Sequence, residues 1–507
     1  MKDSSRKQKS VKNILWGVIF KCISLVLPFV NRTIIIRFLG IEYTGISNLF
    51  TSILSVLSLA ELGINSAILF SIYKTIAEND VEKTNAYLSY YKKAYRYIGI
   101  IVLSIGLIIC CRLEKFIAGD YPKSINIYYV FIIYLLNSVL SYFFFSYVTI
   151  ILVANQREDI VHRISLSVML LGQVVQLCIL YCMRNFYLYI FISLLTTVST
   201  NFVSFIIVRK IYPAFFPKGS ITLSERKSLK KQIAGLVIGK LSVVSRNSFD
   251  SVIISSTLGL TATAIYGNYY YIMSSVIGII FAFCSGIRAS IGNKLVTNTV
   301  EENFEDMLYL SYAFYIIYGT CTTILLCTYQ SFMYIWVGSE YTGSIYLAVF
   351  MSIYFFIFCS VGVISQYWEA AGLFWENRIR YIVESIANLL FDIILVKFWG
   401  MNGVVLATII SMLFVTNIAG PIIAFRYYFK NCAIIRFYLQ QIQFLLATII
   451  TCSVSFFLCR FITIQSFFCF MIKGIISAFV ALLLNLLLFY NTSMSKQLRN
   501  KIFSNNQ

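Results

Sequence analysis

The sequence predicts an all-α polytopic membrane protein with about 14 transmembrane helices, arranged as two parallel-repeat six-helix bundles followed by two further helices. Three observations carry this expectation. Hydrophobic residues make up 59% of the 507 residues and charged residues 12%, with a mean hydropathy of +0.80, far from soluble composition. Apolar runs of about 20 residues, the length that spans a hydrocarbon core, recur from end to end. A pattern also repeats 219 positions apart: Val18-Ile19-Phe20-Lys21 returns as Val237-Ile238-Gly239-Lys240, and Leu39-Gly40 as Leu258-Gly259. At the same shift Thr44 meets Thr263, Ile46 meets Ile265 and Gly119 meets Gly338.

Taken in order, the expected spans are 14–39, 45–72, 94–112, 124–154, 164–183 and 186–208, which make a first bundle over 1–210. A basic connection, 211–231, carries Pro213 and Pro217 and reads as a linker. The spans 232–256, 260–287, 307–328, 341–372, 379–396 and 401–425 make a second bundle over 232–427. The spans 437–459 and 467–490 fall outside the repeat, within a final section 428–507 that ends in a basic tail. Tyr73 to Arg96 mixes charge with tyrosines and is expected to lie along the membrane surface.

Charge placement gives the orientation. Of the 41 Lys and Arg residues, 29 fall in the N-terminus, the tail and the connections on their side, against seven in the alternate connections. The positive-inside rule then puts both termini in the cytoplasm. The first apolar run is long, holds Lys21 and lacks a small-x-small cleavage site, so it reads as a retained span rather than a signal peptide. The formal charge of +20 is spread as punctuation between apolar runs, which argues against a nucleic-acid partner. Thirteen cysteines mostly sit singly in apolar segments, without metal-ligand spacing. There is no Walker-type loop, and no outer connection is large enough for a catalytic domain.

The candidate site comes from charges inside these spans. Lys21, Pro28 and Arg32 share one stripe of the first span, and Lys240 and Arg246 lie in the seventh. A basic residue near the bilayer centre costs about 2.5–3.5 kcal/mol on insertion scales, so these four cations are expected to face a polar cavity. Arginine suits phosphate because its planar fork donates two parallel hydrogen bonds, and lysine adds a compact charge. Glu61, Asp250, Glu384 and Asp392 are either coupling sites for a cation or proton or salt-bridge partners; Asp250 follows Arg246 by one turn. Glu369 is expected to face Arg378 or Arg380, Lys473 to be isolated or snorkelling, and His162 to be a surface residue. Tyr269, Tyr270 and Tyr271 are candidates for stacking on sugar rings.

Three stretches carry a resemblance: Leu39-Gly40-Ile41-Glu42-Tyr43-Thr44-Gly45, Trp336-Val337-Gly338-Ser339-Glu340-Tyr341, and Gly400-Met401-Asn402-Gly403-Val404-Val405-Leu406-Ala407-Thr408. With two six-helix halves and two extra helices, the chain resembles the Wzx-type polysaccharide (lipid-linked oligosaccharide) flippases of the MOP superfamily, relatives of the MATE exporters and the MurJ-type lipid II flippases. The resemblance implies a non-enzymatic flippase in the bacterial cytoplasmic (inner) membrane. Its substrate would be an undecaprenyl-pyrophosphate-linked glycan, moved to the outer leaflet for capsule, exopolysaccharide or O-antigen synthesis. It implies no cofactor, coupling to Na+, H+ or the membrane potential, and a polysaccharide polymerase and chain-length machinery as partners. A lipid II flippase, a MATE-type small-molecule exporter and a membrane glycan polymerase are the alternatives.

Overall fold

The computed structural model describes residues 16, 19–20, 23–24, 26–462, 466–492 and 495–496, and every regular element among them is helical. Residues 26–38 are helical and belong to the first expected span, while Lys21 lies outside the described residues. There follow α1 (Ile41–Leu57), α2 (Leu59–Ala77), α3 (Val81–Cys110), α4 (Ile127–Phe143), α5 (Thr149–Ala154), α6 (Glu158–Met183) and α7 (Phe186–Ile211). Next come α8 (Leu223–Thr297), α9 (Val300–Val337), α10 (Ile345–Ser360), α11 (Gly362–Ala370) and α12 (Arg378–Ser411). After π-helical turns at Met412–Ala419, α13 (Gly420–Ala424), α14 (Ile434–Arg460) and α15 (Phe467–Leu488) complete the chain.

Among the described residues, nine helices are long and apolar enough to cross a membrane, or ten if the bent pair Ile127–Phe143 and Ser146–Ala154 is one span. Two of the nine, Leu223–Phe281 and Arg378–Phe429, hold 59 and 52 residues. At 1.5 Å per residue they run about 80–90 Å, more than twice the hydrocarbon thickness. Each is broken by a glycine at positive φ, Gly259 (86°) and Gly400 (55°). That conformation is open to glycine and strained for other residues. Just past the second break, a Cβ on Gly403 would lie 2.1 Å from the Leu395 carbonyl oxygen, so the two arms of α12 pack at backbone contact. Repeat-matched glycines share this backbone state: Gly40 (121°) with Gly259 (86°), and Gly119 (77°) with Gly338 (88°).

The connection at Tyr73–Arg96 is helical nearly throughout: α2 runs to Ala77, α3 starts at Val81, and Asp80 caps α3 by accepting from the Lys83 amide at 2.8 Å. Tyr87, Leu88, Tyr91, Tyr95 and Ile98 are buried at helical spacing, so the tyrosines face protein and the charges occupy the other side of one 30-residue helix. The linker is tied to this helix. Asn85 accepts from the Phe216 amide (2.8 Å) and donates to the Ala214 carbonyl (3.1 Å). Lys83 also reaches Glu225 at 2.9 Å, and this hydrogen bond holds the Glu225 carboxyl down to about 2.

The chain forms two compact units, Met1–Ala264 and Ile265–Gln507. In the first, α3 packs on α4, α6 on α7 and α4 on α7, around a core that includes Phe50, Phe131 and Leu135. In the second, α9 is the central post against which α10, α14 and α15 pack. Tyr315 of α9 stacks on Phe444 at 4.2 Å and donates to the buried Asn485 of α15 at 2.7 Å. Lipid tails are as apolar as leucine, so such stacking and interhelical bonds, about 0.6 kcal/mol each on average, hold helices together where the hydrophobic effect does not.

Candidate functional site

Arg32 is half-buried in the helix that ends just before Gly40. Rather than extending along its own helix, its guanidinium donates to Asn48 Oδ1 of α1 at 2.6 Å. The Asn48 amide in turn donates to the Thr263 carbonyl of α8 at 3.3 Å. An arginine at the end of such a chain is pre-oriented, its planar fork held by a side chain of another helix. Beside it, Asn31 donates to Gln173 at 2.8 Å, and Gln176 donates to Ser193 Oγ at 2.7 Å and to the Tyr189 carbonyl at 2.9 Å. These three amides were not among the sequence candidates. The available signal was two glutamines three residues apart in the apolar second half of α6.

Lys240 and Arg246 both lie on the first arm of α8, and both belong to the same unit as Arg32. Lys240 is exposed, Arg246 is 5% exposed and Asp250, one turn further on, is fully buried. Ser245, Ser248, Ser251 and Ser255 are buried on the same arm, making it a polar stretch inside an apolar span. α8 reaches this position by close approach. A Cβ on Gly63 of α2 would lie 2.5 Å from the Val237 side chain, and one on Gly45 of α1 would lie 2.2 Å from the Leu260 carbonyl oxygen.

The acids divide by partner. Glu61 of α2 accepts from Tyr95 OH (3.2 Å) and Tyr142 OH (2.8 Å), and Tyr91 OH links Tyr95 (2.9 Å) to Asn65 (3.0 Å). Among the described residues no lysine or arginine pairs with Glu61, so it is solvated by phenols. Glu384 lies 3.7 Å from Arg380, both nearly fully buried. Arg380 also donates to Asn377 (2.8 Å) and Thr416 (3.2 Å), and Arg378 stacks on Trp375 at 4.2 Å. Asp392 is fully buried one turn after Asn388, whose amide reaches Asp392 at 3.5 Å and Thr408 Oγ1 across the Gly400 break at 3.1 Å. The Asn388 amide nitrogen thus bridges a buried carboxylate and a hydroxyl, and buried intramembrane carboxylates of this kind are often functional.

One aromatic expectation changes. Tyr269 is fully buried, stacked on Tyr329 at 5.3 Å with its hydroxyl on Gln330 at 3.1 Å, and Tyr270 packs near Tyr266 and Tyr354. Tyr269 is therefore core and has no face left for sugar. His162 stacks on Phe20 at 5.1 Å.

A family model described as polysaccharide biosynthesis protein matches residues 10–287. No curated protein matches by sequence. Among solved structures, the lipid II flippase MurJ in an inward closed conformation is similar at 16% identity and a TM-score of 0.68, covering 94% of this chain and 99% of that one. An inward-facing multidrug resistance MATE family transporter of the MOP superfamily is similar at 14% identity and a TM-score of 0.61, over 79% and 94%. A MOP superfamily transporter from Pyrococcus furiosus is similar at 15% identity and a TM-score of 0.50, over 83% and 95%. At these identities the likeness establishes the fold.

Proposed function

The chain belongs to the polysaccharide biosynthesis family, the Wzx-type branch of the MOP superfamily, whose members are flippases and transporters rather than enzymes, and from that premise we propose what it moves and how. Its substrate is an undecaprenyl-pyrophosphate-linked oligosaccharide repeat unit, carried from the inner to the outer leaflet of the cytoplasmic membrane for capsule, exopolysaccharide or O-antigen synthesis. Both termini face the cytoplasm, and a polymerase with its chain-length machinery receives the product. Transport is by alternating access through a basic cavity to which Lys21, Arg32, Lys240 and Arg246 contribute.

The observation that carries this reading is Arg32, a half-buried guanidinium that donates to Asn48 of the next helix at 2.6 Å. A pyrophosphate cannot cross hydrocarbon unaided, and an oriented guanidinium inside an apolar helix is the group that recognises it. Asp392 with Asn388 and Thr408 is the candidate coupling site, and Glu61 in its phenol cage is a second. An inside-negative potential adds about 2.3 kcal/mol per charge per 100 mV to outward movement of an anion.

The test replaces Arg32, Lys240 and Lys21 by alanine, singly and together, and measures accumulation of the lipid-linked repeat unit. The reading expects accumulation that deepens with each substitution; normal export in the triple variant overturns it. The likeness to a lipid II flippase over 94% of this chain favours one second reading, lipid II as cargo. Rescue of a strain depleted of its own lipid II flippase decides between the two.

A further inference from the structure

Within the second unit, two cavities lie in line between α9, α10 and α14. The larger, about 540 Å³, is walled by apolar side chains such as Val349, Ile353, Leu445 and Ile449. The smaller, about 390 Å³, is lined by Gln330, Ser331, Arg460 and Lys473, and Leu326 borders both. The lining residues advance along each helix in steps of three or four: Ile345, Val349 and Ile353 on α10, and Ile449, Cys452, Phe456 and Arg460 on α14. That is one continuous strip per helix. α9 packs against both α10 and α14 and forms the floor.

The charged end of this groove is one-signed. Lys473, inside an apolar helix, donates to Ser331 Oγ at 2.9 Å. Among the described residues no carboxylate pairs with Lys473 or Arg460. Gln330 is already committed, accepting from Tyr269 OH at 3.1 Å and donating to the Gly343 carbonyl at 3.0 Å. What remains is one hydroxyl and two cationic heads. At the charged end that set matches a single phosphodiester. α14 ends and α15 begins here, and the basic-residue distribution assigns this end to the outer side. From Arg460 back to Ile449 is about 16 Å of helix, the depth of one leaflet.

We propose that this groove binds an anionic phospholipid of the outer leaflet, its phosphate on Lys473 and Arg460 and one acyl chain along α14 beside Leu326. The site is separate from the cations assigned to translocation, so its fate does not depend on the cargo. A bound lipid would fasten α14 and α15 to α9 by filling the space between them.

The test is native mass spectrometry of the whole purified protein exchanged into phosphatidylglycerol or phosphatidylcholine. The expectation is selective retention of phosphatidylglycerol, reduced about fivefold by each of Lys473→Gln and Arg460→Gln. Ile449→Trp, which fills the apolar strip, lowers retention without touching a charge. Arg460 is exposed, so its variant folds whether or not Lys473→Gln does. Equal retention of the two lipids, or unchanged retention in the Arg460→Gln variant, overturns the proposal. So does competition by inorganic phosphate alone, which would mark a free-anion site. Displacement by undecaprenyl monophosphate at equal concentration would reassign the groove to the substrate lipid.

Discussion

Gly45 offers the sharpest test of how α1 and α8 are held. A Cβ at this position would sit 2.2 Å from the Leu260 carbonyl oxygen and 2.9 Å from its carbon, where ordinary contact begins at about 3.4 Å. The Gly45→Ala variant must therefore move one helix by about 1.2 Å. The atoms it meets are backbone, which no rotamer can swing away, so the upper end of the overpacking range applies, about 3 kcal/mol. Alanine returns about 1 kcal/mol of helix propensity, leaving a net loss of about 2 kcal/mol. At about 2–4 °C per kcal/mol for a body of this size, the melting midpoint in detergent falls by about 4–8 °C. Gly235→Ala on the same α8 is the control: nothing lies within 4 Å of its Cβ, so only the propensity gain remains. The displacement also shifts Thr263, the acceptor for Asn48, and so loosens Arg32; export should fall with stability. If Gly45→Ala melts and exports like Gly235→Ala, the close approach of α1 and α8 is not a feature of the working protein.

Arg380→Ala leaves Glu384 buried without its cation and should cost about 3–5 kcal/mol, whereas Arg380→Met with Glu384→Leu should recover most of that loss; thermal unfolding of the two single variants and the pair reads the coupling. The Lys83–Glu225 tie makes a pH prediction. The folded-state pKa of Glu225 is depressed to about 2, so its contribution is fully present above the ordinary glutamate value of about 4.3 and is lost as pH falls toward 2. Lys83→Met should speed amide exchange around Thr222–Glu225 at neutral pH and match the unaltered protein near pH 2; a difference that persists there refutes the assignment.

The helical fold was legible because the expected spans from 45–72 onward are long apolar runs, and the helices observed fall on those runs, some of them broken in two. The repeat-matched glycines were legible because Gly40 with Gly259 and Gly119 with Gly338 all hold a positive φ. In Tyr73–Arg96 the charges on one face of α3 hid the buried stripe of Tyr87, Tyr91 and Tyr95 on the other. Partners of intramembrane charges were least legible. Glu384 and Asp392 have theirs one turn away, but Glu61 draws on Tyr95 and Tyr142 from two other helices, and Arg32 on Asn48 beyond the Gly40 break. Helix–helix neighbours of that kind are set by packing, which periodicity does not encode.

The position of the cations has a consequence for energetics. Arg32, Lys240 and Arg246 all lie within Met1–Ala264, and the break at Gly259 comes before that unit ends. In the proposed cycle a movement of this unit carries all three positive charges with the headgroup they hold. The membrane potential acts on the sum of what moves, so each cation that travels cancels about 2.3 kcal/mol per 100 mV of drive on the pyrophosphate. A headgroup accompanied by its own counter-charges is thus nearly indifferent to voltage. Directionality must then come from a group that changes charge state or occupancy between leaflets, and an ionisable carboxylate such as Asp392 or Glu61 meets that requirement where a permanently charged guanidinium does not.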